Sequence, residues 1–136
     1  MTSAAQVQAY VTDTHALFWY LTSSPKLSSA ALQAFQEAEQ GRAKIIVPVI
    51  VLAELYFLNE KLGSPLDFQA EYQKLAASRM LEFAPIDESL ILLFPQLSSI
   101  VEMHDRMIVA VAYRRKAPLI TKDEIIRNSG VVQVRR

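Results

Sequence analysis

Four acidic residues of this 136-residue chain stand apart from its other acids: Asp13, Glu54, Asp105 and Asp123. Glu37, Glu39, Glu60 and Glu71 lie among polar neighbours, as a solvated helix face does. Glu54 is the only charge between Val49 and Leu58, and its neighbours three and four residues away (Ile50, Val51, Phe57 and Leu58) are all apolar. A carboxylate on such a face is unfavourable unless an Arg, a Lys or another cation compensates it. Asp13 precedes the apolar run Ala16-Leu17-Phe18-Trp19, Asp123 follows Leu119-Ile120-Thr121, and Asp105 opens a stretch running from Met107 to Ala112. Each of these three, taken alone, reads equally as a helix N-cap. Brought to one end of one sheet, the four would repel one another, an arrangement that makes sense around a hard divalent cation. Magnesium takes oxygen ligands and keeps several waters, so one or two carboxylates binding directly and the rest acting through water would suffice. The chemistry this suits is phosphodiester hydrolysis, in which the cation neutralises developing charge and acidifies an attacking water. Thr14 and Thr121, beside two of the acids, are candidates to hydrogen-bond a carboxylate or a water, or simply to form turns.

The elements that would position these acids alternate. Val7–Val11 reads as an apolar strand ending near Asp13, and His15–Leu21 as a short helix. Ser28 caps a second helix that carries Ala31, Leu32, Phe35 and Ala38 on one face and stops at Gly41. Lys44–Val47 is a β-branched strand closed by Pro48; a helix follows over Val49–Leu62, and Ser64-Pro65 opens another that runs to about Ser78. Leu81–Ala84 is a strand, Asp87–Leu97 a helix, Asp105–Arg115 an amphipathic helix, Pro118–Thr121 a strand, Asp123–Asn128 a helical turn and Val131–Val134 a last strand. Short apolar strands alternating with helices specify an α/β domain whose mostly parallel five-stranded sheet is covered on both faces. Ligands of such folds bind outside the carboxyl ends of the strands, where Asp13 and Asp123 fall.

Composition narrows the function. A chain of this length with 51% apolar residues makes one globular domain over residues 1–136. Met1 to Tyr10 carries no basic segment followed by an apolar core, and the longest apolar run, Ile45 to Ala53, is nine residues long and contains Pro48. The expectation is a protein of the cytoplasm, with no leader and no membrane span. No cysteine is present, which excludes disulfides, thiolate metal sites and thiol catalysis. The formal net charge of zero hides a split: Met1 to Asp105 has 6 Lys+Arg against 12 Asp+Glu, and Arg106 to Arg136 has 8 against 2. Within that basic last quarter Arg106, Arg114, Arg115 and Lys116 form either a phosphate-facing edge or plain surface charge. His15 and His104 are too few for a zinc site and read as structural or surface residues. Phe18, Trp19 and Tyr20 would stack bases, receive a partner's side chain, or pack in the core.

With the acids placed, the chain resembles a PIN domain, and its compact length is similar to that of the VapC-type toxins of type II toxin–antitoxin pairs. Tyr10-Val11-Thr12-Asp13-Thr14-His15-Ala16-Leu17-Phe18-Trp19 resembles the family's first motif, and Val49-Ile50-Val51-Leu52-Ala53-Glu54-Leu55 the helix that brings its Glu. His104-Asp105-Arg106-Met107-Ile108-Val109-Ala110-Val111-Ala112 and Ala117-Pro118-Leu119-Ile120-Thr121-Lys122-Asp123-Glu124 resemble its paired late motifs. The resemblance implies a five-stranded parallel sheet between helices, a magnesium or manganese site made by Asp13, Glu54, Asp105 and Asp123, endoribonuclease activity on RNA, a cognate antitoxin and a homodimer. Many relatives carry a Ser or Thr shortly before the Glu, whereas Pro48-Val49-Ile50-Val51 has neither. A rival of another class is a catalytically silent PIN-like module that acts by binding protein. An aspartyl phosphatase of the haloacid-dehalogenase type would need an acid two residues after Asp13, where this chain has His15.

Overall fold

A computed structural model describes residues 7–136. Part of the segment expected to lack a leader, residues 1–6, lies outside the described residues. The strands are β1 (Gln8–Thr12), β2 (Ala43–Pro48), β3 (Leu81–Ala84), β4 (Leu119–Ile120) and β5 (Val134–Arg135). The helices are α1 (Thr14–Leu21), α2 (Ser29–Glu39), α3 (Val49–Lys61), α4 (Phe68–Ala77), α5 (Glu88–Ile91), α6 (Met103–Arg115) and α7 (Glu124–Ser129). All five strands are parallel, in the order β3-β2-β1-β4-β5. Successive side chains of a strand point to opposite faces, so the complete burial of Ile45, Ile46 and Val47 in β2 means that both faces of the sheet are covered.

The strand order places the site. The chain winds outward from β1 through β2 to β3, then returns to the other side of β1 as β4. β1 and β4 are therefore parallel neighbours at the point where the strand order switches sides, and their carboxyl ends open a crevice. Val11 pairs with Leu119 and Thr12 with Ile120, and the Asp13 N–H continues the ladder to the Ile120 carbonyl at 3.1 Å. Asp13 and Thr121 thus leave the sheet side by side.

Most boundaries follow local chemistry. Ser28 Oγ accepts from the Ala31 N–H at 3.1 Å and starts α2, and Gly41, at φ +76°, ends that helical segment. Four elements differ from those expected. Ser64, at φ +58°, cannot cap a helix; the cap of α4 is Asp67, whose Oδ1 accepts from the Ala70 N–H. The buried side chain of Asn59 explains the delay, because it bonds both the N–H and the carbonyl of Leu66 at 2.9 Å and holds the intervening loop. The single helix expected over Asp87–Leu97 is broken: Asp87 caps α5, and a separate 3-10 turn over Phe94–Leu97 carries Pro95 in its first turn, where its missing N–H costs nothing. α6 starts at Met103 rather than at Asp105, with Glu102 as its cap. The last strand lies at Val134–Arg135, beyond most of the expected Val131–Val134.

Candidate active site

Asp13 is the N-cap of α1, its Oδ1 accepting from the Ala16 N–H at 2.8 Å. Asp123 is the N-cap of α7 in the same way, Oδ1 to the Ile126 N–H at 2.9 Å. Both residues are thus helix caps, one of the two readings open to each, and each cap uses one oxygen of its carboxylate. Asp105 has no capping duty. Glu102 Oε1 accepts from the Asp105 N–H at 2.9 Å and leaves the Asp105 carboxylate in the first turn of α6. Three helix N-termini therefore end at this crevice, each bringing an acid to a place where the helix dipole favours negative charge.

Glu54 arrives from the second turn of α3. The apolar stripe of that helix, Val51 and Leu55, is buried, and Glu54 is half-buried beside it. Among the described residues no Lys or Arg pairs with it; the Thr14 hydroxyl donates to its Oε1 at 2.6 Å instead. Thr14 itself is buried. Thr121, also buried, accepts from the Asp123 N–H at 3.1 Å through its hydroxyl oxygen. Burial raises the Asp13 pKa, against the opposing pull of the Thr121 hydroxyl and the Ala16 N–H.

The acids feel one another. Asp105 is pushed up to about 6, first by burial and then by the negative charges of Glu102, Asp123, Glu54 and Asp13. Asp13 and Asp105 lie on both lobes of the crevice; Glu54 lines one lobe and Asp123 the other. Among the described residues no three acids or histidines already close around one point. An all-protein cage is therefore not what this crevice offers. A set of half-buried carboxylates spread around an opening fits an ion that keeps waters and binds through one or two direct ligands, which is the habit of magnesium.

A family model of the PIN domain matches residues 10–131. The chain belongs to the PIN-domain family. Solved structures with this PIN fold include VapBC2 from Rickettsia felis bound to a promoter DNA fragment, at TM-score 0.70 and 17% identity over 93% of this chain and 97% of that one. A toxin–antitoxin complex from Klebsiella pneumoniae matches at TM-score 0.68 and 18% identity, over 93% and 98% of the two chains. FitAcB from Neisseria gonorrhoeae matches at TM-score 0.69 and 17% identity, over 93% and 96%. No curated protein matches the sequence.

Within this PIN domain the expected acids and both threonines come together, and the expected basic residues do not. α6 runs away from the crevice, so Arg115 lies ten residues and about 15 Å along the axis from Asp105. There Arg115 holds Glu82 through two hydrogen bonds of 2.7 and 3.1 Å and keeps that carboxyl below its usual range, and Arg114 bonds Asp87 at 3.1 Å. Lys116 ends the helix in the left-handed conformation. Arg106 is nearer, but its side chain bonds the carbonyls of Ile100 and Ser98. Of the aromatics, Phe18 is core and Tyr20 stacks on Phe35 with centroids 4.3 Å apart, while Trp19 remains half-exposed at the crevice. Sequence reasoning missed Glu102. This fifth acid caps α6 and bonds His104 Nδ1 at 2.9 Å, which raises the histidine pKa. Its spacing three residues before Asp105 was the available signal. His15 and His104, expected to be structural or surface residues, both line the crevice.

Proposed function

We propose that this PIN domain, extending over residues 1–136, is a magnesium-dependent endoribonuclease and the toxin of a toxin–antitoxin pair. The observation that carries the reading is the placement of Asp13, Glu54, Asp105 and Asp123 around one crevice at the β1/β4 switch point, where the other three charges push up the pKa of Asp105. A bound magnesium or manganese ion would supply charge neutralisation at the phosphodiester and a more acidic water. Asp13 and Asp105, which line both lobes, would hold such an ion, and Asp123, on one lobe, would act on it through water. Thr14 fixes Glu54 through Oε1 and leaves Oε2 to accept the proton of the attacking water. The second oxygens of Asp13 and Asp123 stay aligned because the first ones are committed to helix caps.

The similar structures are described as VapBC, FitAcB and toxin–antitoxin complexes, and the partner of this chain is proposed by that analogy: an antitoxin segment that covers the crevice, offers Arg or Lys to the acids, and lays an apolar face near Phe57, which is 66% exposed. A homodimer and a cytoplasmic location belong to the same proposal. Among the described residues no helix is long and apolar enough to cross a membrane. The deciding experiment incubates pure protein with structured RNAs in magnesium, in manganese and in EDTA. Cleavage only with the metals is expected; no cleavage under any condition leaves the silent protein-binding module.

A further inference from the structure

The crevice has two lobes that share Asp13, His15 and Asp105. One lobe, about 580 Å³, passes Glu54 and ends on apolar side chains of α3. The other, about 470 Å³, passes Asp123 and ends on Trp19 and Lys122. The half-exposed Trp19 indole carries the Lys122 ammonium over its ring, 5.2 Å from the centroid, at the end of a flexible and exposed side chain, and the His15 ring lies 5.6 Å away at a 50° tilt. Lys122 is exposed, and its Nζ otherwise reaches only the Lys26 carbonyl. Among the described residues it is the one Lys or Arg lining either lobe.

We infer that Trp19 and Lys122 form a nucleotide subsite beside the acids, in which one unpaired base packs on the indole and an adjoining phosphate meets the ammonium. The inference rests on the nuclease reading, since the subsite seats that reaction's substrate. An aromatic face takes any base that is free of its own stack, and a base inside a duplex is not free. A cavity of a few hundred cubic ångströms holds one small group and no duplex. Lys122 has a second use here: a strand entering a crevice of four acids is repelled, and a cation one side chain away from Asp123 in sequence offsets that repulsion locally.

Trp19 is the sole tryptophan of the chain, so its emission reports on this lobe alone. Short single-stranded oligoribonucleotides, and abasic strands of equal length and charge, are titrated into wild-type protein in EDTA and into Asp105→Asn in magnesium. RNA cleavage by wild type is measured alongside. The expected result is saturable quenching by base-bearing strands and little by abasic ones. In parallel titrations of dye-labelled strands followed by anisotropy, which need no tryptophan in the protein, Trp19→Leu weakens binding about tenfold while Trp19→Phe largely keeps it, and Lys122→Gln lowers the salt slope of binding by about 0.7. Equal quenching by abasic strands, an unchanged slope for Lys122→Gln, or no binding of any strand overturns the inference. If Trp19→Leu does not fold, the abasic comparison and the exposed Lys122 still decide. Cleavage by wild type with a failed subsite result removes the subsite and keeps the nuclease; absence of both removes both.

Discussion

At the scale of single residues, Asp13 and Asp123 each commit one carboxylate oxygen to a helix cap, and the proposed site asks the same carboxylates to serve chemistry as well. Asparagine caps helices about as well as aspartate, so Asp13→Asn and Asp123→Asn keep the fold while removing charge. With Asp105→Asn and Glu54→Gln they make one series. Each variant is expected to lower RNA cleavage at least about a hundredfold, measured by gel on a labelled RNA, with melting curves confirming that it is folded. Near-normal cleavage by the Asp13 or Asp105 variant would sink the shared site. Thr14 tests a subtler role. Thr14→Val preserves shape but removes the donor to Glu54 Oε1, and kcat should fall about tenfold with KM little changed, because the lost bond orients a reacting group rather than the substrate. A rise in KM alone would place Thr14 in binding. The acids were legible because charge is conspicuous in apolar sequence: Glu54 is alone over ten residues. The Thr14–Glu54 bond was not, since it joins residues 40 apart across two helices.

At the scale of elements, the helix termini do the positioning. α6 begins one cap earlier than the sequence suggests, and that shift releases Asp105 from capping. Glu102→Ala should therefore act twice. It removes the cap, lowering stability by about 1 kcal/mol in denaturant melts, and it removes the nearest negative charge on Asp105, so the carboxyl of Asp105 titrates closer to its ordinary range. An Asp105 titration followed by NMR that does not move in the Glu102→Ala protein counts against the coupling. The far end of α6 carries a different question. Arg114 and Arg115 are held by Asp87 and Glu82 well away from the acids, so any phosphate they meet belongs to an outlying stretch of RNA. If they do meet one, Arg114→Gln and Arg115→Gln lower the salt slope of RNA binding by about 0.7 each; an unchanged slope leaves them as ion pairs that tie α6 to its neighbours. The Ser28 cap and the strand-ending Pro48 were legible because their effects are local. The late start of α4 was not, because Asn59 sets it from the preceding helix.

At the scale of the whole molecule, alternation along the chain was enough to read a covered parallel sheet, but not the order β3-β2-β1-β4-β5, because strand pairing depends on contacts between distant segments. Likewise the basic last quarter is a count along the chain, and α6 carries part of it to the end of the sheet opposite the acids. What the assembled crevice adds is a conflict between function and stability in the metal-free protein. Asp105 has a folded pKa of about 6 against an ordinary 3.8, and Asp13 is raised as well. A carboxyl that holds its proton more tightly when folded is neutral in both states well below pH 3.8, so it costs nothing there. As pH rises toward 6 the unfolded chain ionises freely and the folded one resists, so stability falls with pH and the full penalty remains at pH 7. For the partly exposed Asp105 the shift corresponds to about 1 to 2 kcal/mol once solvent screening is allowed for. In EDTA at neutral pH, Asp105→Asn and Asp13→Asn should therefore melt several degrees above wild type, and the difference for Asp105→Asn should shrink to a small remainder near pH 4. Millimolar magnesium should reverse the ranking, because wild type gains stability by mass action and the variants bind the ion poorly. Thermal melts at pH 4 and pH 7, with and without metal, carry the test. If the variants melt lower than wild type in EDTA at pH 7, and wild type gains nothing from magnesium or manganese, these carboxylates stabilise the fold by themselves and no ion need sit between them.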